Sequence, residues 1–274
     1  MAIILSLCNN LSFLPLVNLW KIRSILIFFA IINIKLRFKG MKLGIVWTAL
    51  EPTLTFIIIY IVFTSIRASP HENFGIYLLT GIILYNIFSR GTTGGLSSIR
   101  SNVNIIESLN INKEFFPVTA VLATSILMIV QIGVFFGLMP FFQFIPAWTI
   151  IFLPVILLLL IILILGISYI LCILHVYFRD IQVIWSILVQ ALFFITPIIW
   201  FMDDIRDTGL GNVLLAIHSI NPIGQLTELA HNIVVFNTIP TLGEWAYVSI
   251  FCIGIFLFGF LIFNKFQTKI VENL

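Results

Sequence analysis

LRFKGMKLGIVWTALEP, residues 36–52, marks the boundary between a basic, glycine-punctuated segment and an uninterrupted apolar one. Lys21, Arg23, Lys35, Arg37, Lys39 and Lys42 all precede Leu43, and the chain then runs apolar to Ile66. Basic residues are retained on the cytoplasmic side of a membrane, so this junction sets the direction in which an apolar helix enters a bilayer. The composition carries that reading to the whole chain. Of 274 residues, 61% are hydrophobic and 9% charged, and the mean hydropathy is +1.17. A soluble domain carries roughly a quarter charged residues, which excludes that class.

A helix rises about 1.5 Å per residue, so roughly 20 apolar residues cross a hydrocarbon layer of about 30 Å. On that ruler six spans are expected, at 43–66, 76–96, 118–139, 148–174, 183–201 and 245–263. None shows the alternation of a barrel strand. With the amino terminus inside, eleven of the 14 basic residues fall on the cytoplasmic side, Arg67 and Arg206 fall outside, and Arg90 lies within a span. Both termini are therefore expected in the cytoplasm, and the basic residues act as topology determinants rather than as a nucleic-acid surface. No polar stretch is long enough for a soluble domain, so residues 1–274 read as one transmembrane domain.

Residues 18–40 are apolar but punctuated by Lys21, Arg23, Lys35 and Arg37, with Leu26, Phe29, Ile32 and Leu36 at helical spacing. This pattern predicts an amphipathic helix lying in the interface, and a seventh crossing is the competing reading. Between spans five and six, Asp203, Asp204 and Asp207 precede two short apolar runs that meet at Asn221-Pro222. Two re-entrant helices hinged at that turn are expected over the mouth of a pathway. The fold class is thus an all-α polytopic membrane protein.

Catalytic motifs do not emerge. The chain contains no phosphate-binding loop, dinucleotide fingerprint or H-E-x-x-H pair, and His71, His175, His218 and His231 do not share a metal-binding spacing. Cys8, Cys172 and Cys252 sit apart in apolar surroundings. Transport features are more evident. Glu51 precedes Pro52 early in the first span, and an ionisable group there must face protein or water, or snorkel to the interface. Proline at that position loosens the helix. Gly91, Gly94 and Gly95, and Gly133 with Gly137, are small-residue patches suited to close helix packing. Tyr60, Tyr85, Tyr169, Phe193 and Phe194 lie deeper than the interfacial tryptophans and are candidates to line a pathway on which sugar rings could stack.

Together these short motifs resemble the permease subunits of type-2 ABC exporters for polysaccharides, O-antigens and teichoic acids. The resemblance rests on Arg37 to Gly40, Gly44, Trp47 and Glu51-Pro52, then Leu79-Thr80-Gly81, Asn102, Phe116-Pro117, Phe178-Arg179-Asp180, Thr196-Pro197-Ile198 and Asn221-Pro222. It covers nearly the whole chain from about Trp20. It implies a homodimer of permeases working with two copies of a separate ABC ATPase, which carries ATP and magnesium. This chain itself is expected to hold no metal or cofactor, to bind membrane lipid and no nucleic acid, and to be a transport subunit rather than an enzyme. The implied cargo is a lipid-linked polysaccharide or polyol-phosphate glycan crossing the cytoplasmic membrane. The same resemblance makes Arg37, Lys39, Asn102, Phe116, Pro117, Arg179 and Asp180 candidates for the surface that couples to the ATPase. Gly40, Gly44, Glu51, Pro52, Pro197, Asn221 and Pro222 are hinge candidates. A permease for a drug or small lipid shares the plan, and an ATP-independent carrier is the more distant alternative.

Overall fold

The computed structural model describes residues 23–66, 73–108, 112–202, 209 and 211–269. Several residues read above lie outside these, including Trp20, Lys21, Arg67, His71, Cys8, Arg206 and the aspartates at 203, 204 and 207. The described chain is all-helical. Its α-helices are α1 (Arg23–Arg37), α2 (Trp47–Ile66), α3 (Phe74–Ser97), α4 (Val103–Ser108), α5 (Phe115–Leu138), α6 (Leu153–Tyr177), α7 (Ile181–Ile195), α8 (Gly211–Ile220), α9 (Pro222–Val234) and α10 (Leu242–Phe266). Among the described residues, five helical stretches are long and apolar enough to cross a membrane: Gly44–Ser65, Phe74–Ser97, Phe115–Phe142, Trp148–Tyr177 and Leu242–Phe266. They fall on the expected spans one to four and six, and the protein is a multi-pass membrane protein.

The expected fifth span is shorter than its apolar run. α7 stops at Ile195 because Thr196 turns extended, with ψ 138°. Pro197 disfavours the helical conformation in the residue before it. The 15 helical residues measure about 22 Å at 1.5 Å each. On the other side of the same region Asn221 is extended and Pro222 takes the first turn of α9, where its missing N–H costs nothing. Asn221 Nδ2 donates to Thr196 Oγ1 at 3.1 Å, so the two proline turns are tied together inside the protein.

α3 is the centre of the bundle. It touches α2, α5, α6, α7 and α9, and 83% of its most apolar stretch is buried, against 17% for α2. Yet it is the least hydropathic of the five spans. Small and hydroxyl residues explain this, because without a hydrophobic drive between helices in lipid, close approach governs packing. A β-carbon on Gly91 would meet Ile164 Cγ2 at 2.7 Å, and one on Gly95 would meet Ser168 Oγ at 2.0 Å. The patch read at 91–95 is thus the seat of α6. The patch at Gly133 and Gly137 is not a packing surface among the described residues, where a β-carbon at either position would meet open space. A closer crossing joins α6 to α10, where a β-carbon on Gly259 would fall 2.2 Å from the Gly166 carbonyl oxygen.

α1 lies along α5. Leu26 and Ala30 are buried, and Phe29 meets Phe115 edge-on at 5.0 Å between ring centres. The chain leaves α1 through Gly40, at φ +82°, and Gly44, at φ +51°. Both positions demand the left-handed conformation that glycine adopts without steric cost. The turn between α1 and α2 is therefore written into these two residues.

Candidate functional site

A groove of about 740 Å³ opens where α1, α2 and α3 converge. Arg37 from the end of α1, Glu51 from α2 and Arg90 from α3 line it, with Trp47, Thr93 and Ser97. Glu51 lies seven residues in from Gly44, and Arg90 seven before Ser97. At 1.5 Å per residue both sit about 10 Å from the same end of the bundle. Arg90 Nη2 donates to Glu51 Oε2. The Glu51 side chain keeps 53% of its surface exposed and Arg90 keeps 18%, so the pair faces the groove from the α2 side. Arg37 completes the group. Burial lowers its pKa, Arg90 pushes the same way, and Glu51 opposes both. The guanidinium stays charged.

A second cavity of about 310 Å³ continues from this groove, with Arg37 and Ser97 common to both, and reaches Asn102. Asn102 Nδ2 donates to the Ser98 carbonyl at 2.8 Å, which holds the bend from α3 into α4. Lys39 is exposed. Phe116 is 1% exposed and Pro117 is buried beside it, so both belong to the packing of α5. Arg179 and Asp180 are exposed in the turn between α6 and α7. The structure thus brings Arg37, Asn102 and Glu51 to one end around the grooves and separates Phe116 and Pro117 from the surface.

The aromatic candidates part in the same way. Tyr85 is buried, and its hydroxyl donates to the Val189 carbonyl of α7. Tyr169 is 2% exposed in a cluster with Phe256, Phe260 and Phe263. Tyr60 is half-buried and stacks on Phe56 at 5.5 Å. Phe193 is half-buried and Phe194 is exposed. Tyr60, Phe193 and Phe194 reach the surface of the bundle, whereas Tyr85 and Tyr169 are internal.

At the opposite end of α3 a polar cluster closes the bundle. Tyr77 stacks on His231 with 3.6 Å between ring centres, and His231 Nε2 donates to the Tyr77 carbonyl at 3.0 Å. The Tyr77 hydroxyl donates to the Trp200 carbonyl at 2.8 Å. His218 Nε2 and Glu228 Oε2 stand 2.7 Å apart, joining α8 to α9. These contacts, with Asn221 to Thr196, explain how short helices hold at this end.

Arg90 is the residue that sequence reasoning left without a role. The available signal was depth: an arginine and a glutamate equally far into adjacent spans must face one another, water or a partner. The Gln131 Nε2 to Asn86 Oδ1 bond at 2.7 Å joins α5 to α3 by the same logic.

An all-helical bundle with five membrane-long helices and a charged groove where α1, α2 and α3 converge is a multi-pass membrane protein. No protein-family model matches the chain. Over 76% of its length it is 27% identical to the O-antigen export system permease protein RfbA of Myxococcus xanthus, of which the match covers 79%. It is 24% identical to an O-antigen export system permease of Klebsiella pneumoniae over 88% of this chain and 92% of that one. The polysialic acid transport protein KpsM of Escherichia coli is 25% identical, over 88% and 93% respectively. The chain is therefore a relative of the permease subunits of type-2 ABC exporters, as its motifs indicated.

Proposed function

We propose that this chain is the membrane-spanning subunit of an ATP-driven exporter that moves a lipid-linked polysaccharide or polyol-phosphate glycan from the cytoplasmic side across the cytoplasmic membrane. The observation that carries the reading is similarity over most of the chain to permeases of O-antigen and polysialic acid export. Two copies form the pathway, and two copies of a separate ABC ATPase bind ATP and magnesium. Six crossings follow when the extended Thr196-Pro197 segment completes the path begun by α7. α1 lies in the cytoplasmic interface, α8 and α9 are re-entrant from the outer side, and both termini are cytoplasmic.

Exposed apolar residues on α2 and α7, among them Ile58, Ile61, Ile187 and Phe194, support these helices as the walls where the two protomers meet. Tyr60 and Phe193 stand at the edge of that surface. On the ATPase side, exposed Arg179 and Asp180 are the direct contacts, with Arg37, Lys39 and Asn102 around the grooves. Phe116 and Pro117 carry movement into the bundle through packing.

The test is to express the chain with a candidate ABC ATPase subunit, purify the pair and reconstitute it in vesicles. Stoichiometric assembly and ATP-dependent movement of a lipid-linked glycan are expected. Assembly with ATP-dependent movement of a drug and not of the glycan overturns the cargo, and failure to bind any ATPase overturns the class.

A further inference from the structure

We propose that the cavity between α3 and α9, at the end of the bundle opposite the charged groove, binds a single uncharged sugar unit. The proposal rests on the export reading above for the source of that sugar, a unit of the glycan, but the site is argued from its own chemistry.

The cavity measures about 180 Å³ and is lined by Tyr77, Phe201, Glu228, His231, Asn232 and Phe236. Pockets for drug-sized ligands begin at about 300 Å³, so this one suits a single ring rather than an extended molecule. Its mouth faces water. Residues 236–239 beside it are exposed and non-helical, and such backbone is not tolerated against lipid.

The apolar wall is fixed. The Tyr77 ring is sandwiched between Phe201, at 4.1 Å between ring centres, and His231, at 3.6 Å. Phe236 stands 6.4 Å from Tyr77 and steeply inclined to it, yet is 49% exposed. A turn holds it there: Asn237 sits at φ +54°, and Thr238 N donates to the Asn232 carbonyl at 2.9 Å. Phe236 is therefore an aromatic face held open at the mouth, and the negative face of such a ring attracts the polarised C–H bonds of a sugar.

Polar groups complete the site. His231 is 2% exposed, and its Nε2 donates to the Tyr77 carbonyl. In the neutral ring Nδ1 is then an acceptor, and it has no partner among the described residues. A buried acceptor left unmade is costly, and a ligand hydroxyl would satisfy it. Glu228 Oε2 meets His218 Nε2 at 2.7 Å, which fixes the carboxylate and leaves Oε1 without a partner among the described residues. The Asn232 side-chain amide makes no hydrogen bond among them either.

This set of groups selects the ligand. Among the described residues no lysine or arginine lines the cavity, so a phosphate or carboxylate would meet the Glu228 charge with nothing to offset it. An ammonium could donate to Glu228 and His231 but has nothing for the Asn232 N–H. A hydroxyl both donates and accepts. Neighbouring hydroxyls on one ring therefore satisfy all three side chains while its apolar face rests on Phe236.

The full chain in nanodiscs is titrated with the methyl glycosides of glucose, galactose, mannose, rhamnose and N-acetylglucosamine, and binding is read by saturation-transfer NMR. Saturable binding of at least one is expected, with transfer strongest to the protons on one face of its ring. Phe236→Ala and Asn232→Leu, at exposed and half-buried positions, should each weaken it about tenfold, and Phe236→Trp should retain it. Wild-type affinity in both weakening variants overturns the site, and displacement of the glycoside by ethanolamine at equal concentration overturns the ligand class. The titration uses neither ATPase nor transport. Glycoside binding with no glycan movement by the reconstituted pair would overturn the export reading and leave the pocket standing. Glycan movement with no binding of any of these glycosides would overturn the pocket and leave the export reading standing.

Discussion

Glycine 259 shows how much a single atom decides in this bundle. A methyl group there would overlap the Gly166 backbone oxygen, which cannot rotate away, so α6 and α10 must separate. Gly259→Ala is expected to cost about 1–3 kcal/mol, the usual penalty of overpacking, read as a lowered melting temperature in detergent. Gly133→Ala meets open space and should stay within about 0.5 kcal/mol of wild type. The sequence displays both glycines identically, and only the neighbour distinguishes them. Asn221 is a second case. Its amide to Thr196 is buried, and Asn221→Ala leaves that hydroxyl without its donor, at an expected cost of about 1–3 kcal/mol. The same measurement checks it, with Thr196→Val in the double variant restoring part of the loss.

At the level of helices, ends carry local signals that faces lack. Prolines and caps are local signals: Thr196-Pro197 ends α7, Asn221-Pro222 opens α9, and a capping box opens α10. In that box Glu244 N donates to Thr241 Oγ1 at 3.3 Å and Thr241 N donates to Glu244 Oε2 at 2.7 Å. Apolar length alone carried the expected fifth span to Phe201, past the proline that stops it, because hydropathy does not register backbone conformation. The α6 to α7 turn is short and exposes Arg179 and Asp180, the placement a contact with a soluble partner requires. Arg179→Ala should lower substrate-stimulated ATP hydrolysis of the reconstituted pair several-fold while the two subunits still co-purify. Unchanged coupling removes Arg179 from the contact.

For the whole molecule, topology and partnership are the testable consequences. The asymmetry of basic residues predicts both termini in the cytoplasm, so reporter fusions at either end should be active there and silent outside. The exposed apolar faces of α2 and α7 are the proposed meeting surface of two copies. If they face a second copy, a cysteine at Ile187 should cross-link two protomers in the membrane, whereas one at Ile129, exposed on α5, should not. Cross-linking at Ile129 alone would move the interface.

The linear chain determined the class, the order of the five membrane-long apolar segments and the glycine and proline turns, because each follows from local composition, backbone restriction or distance along one helix. It also marked one end of the site, since Arg37, Glu51 and the glycine hinge stand within 16 residues. Only the tertiary structure decided that the least hydropathic span is the central one, that Tyr85 and Tyr169 are internal, and that Arg90 meets Glu51 across 39 residues of sequence. Those outcomes depend on which face each helix turns to its neighbours. In a chain that is apolar on nearly every side, hydropathy carries no record of that choice, which small residues and a few polar contacts settle instead.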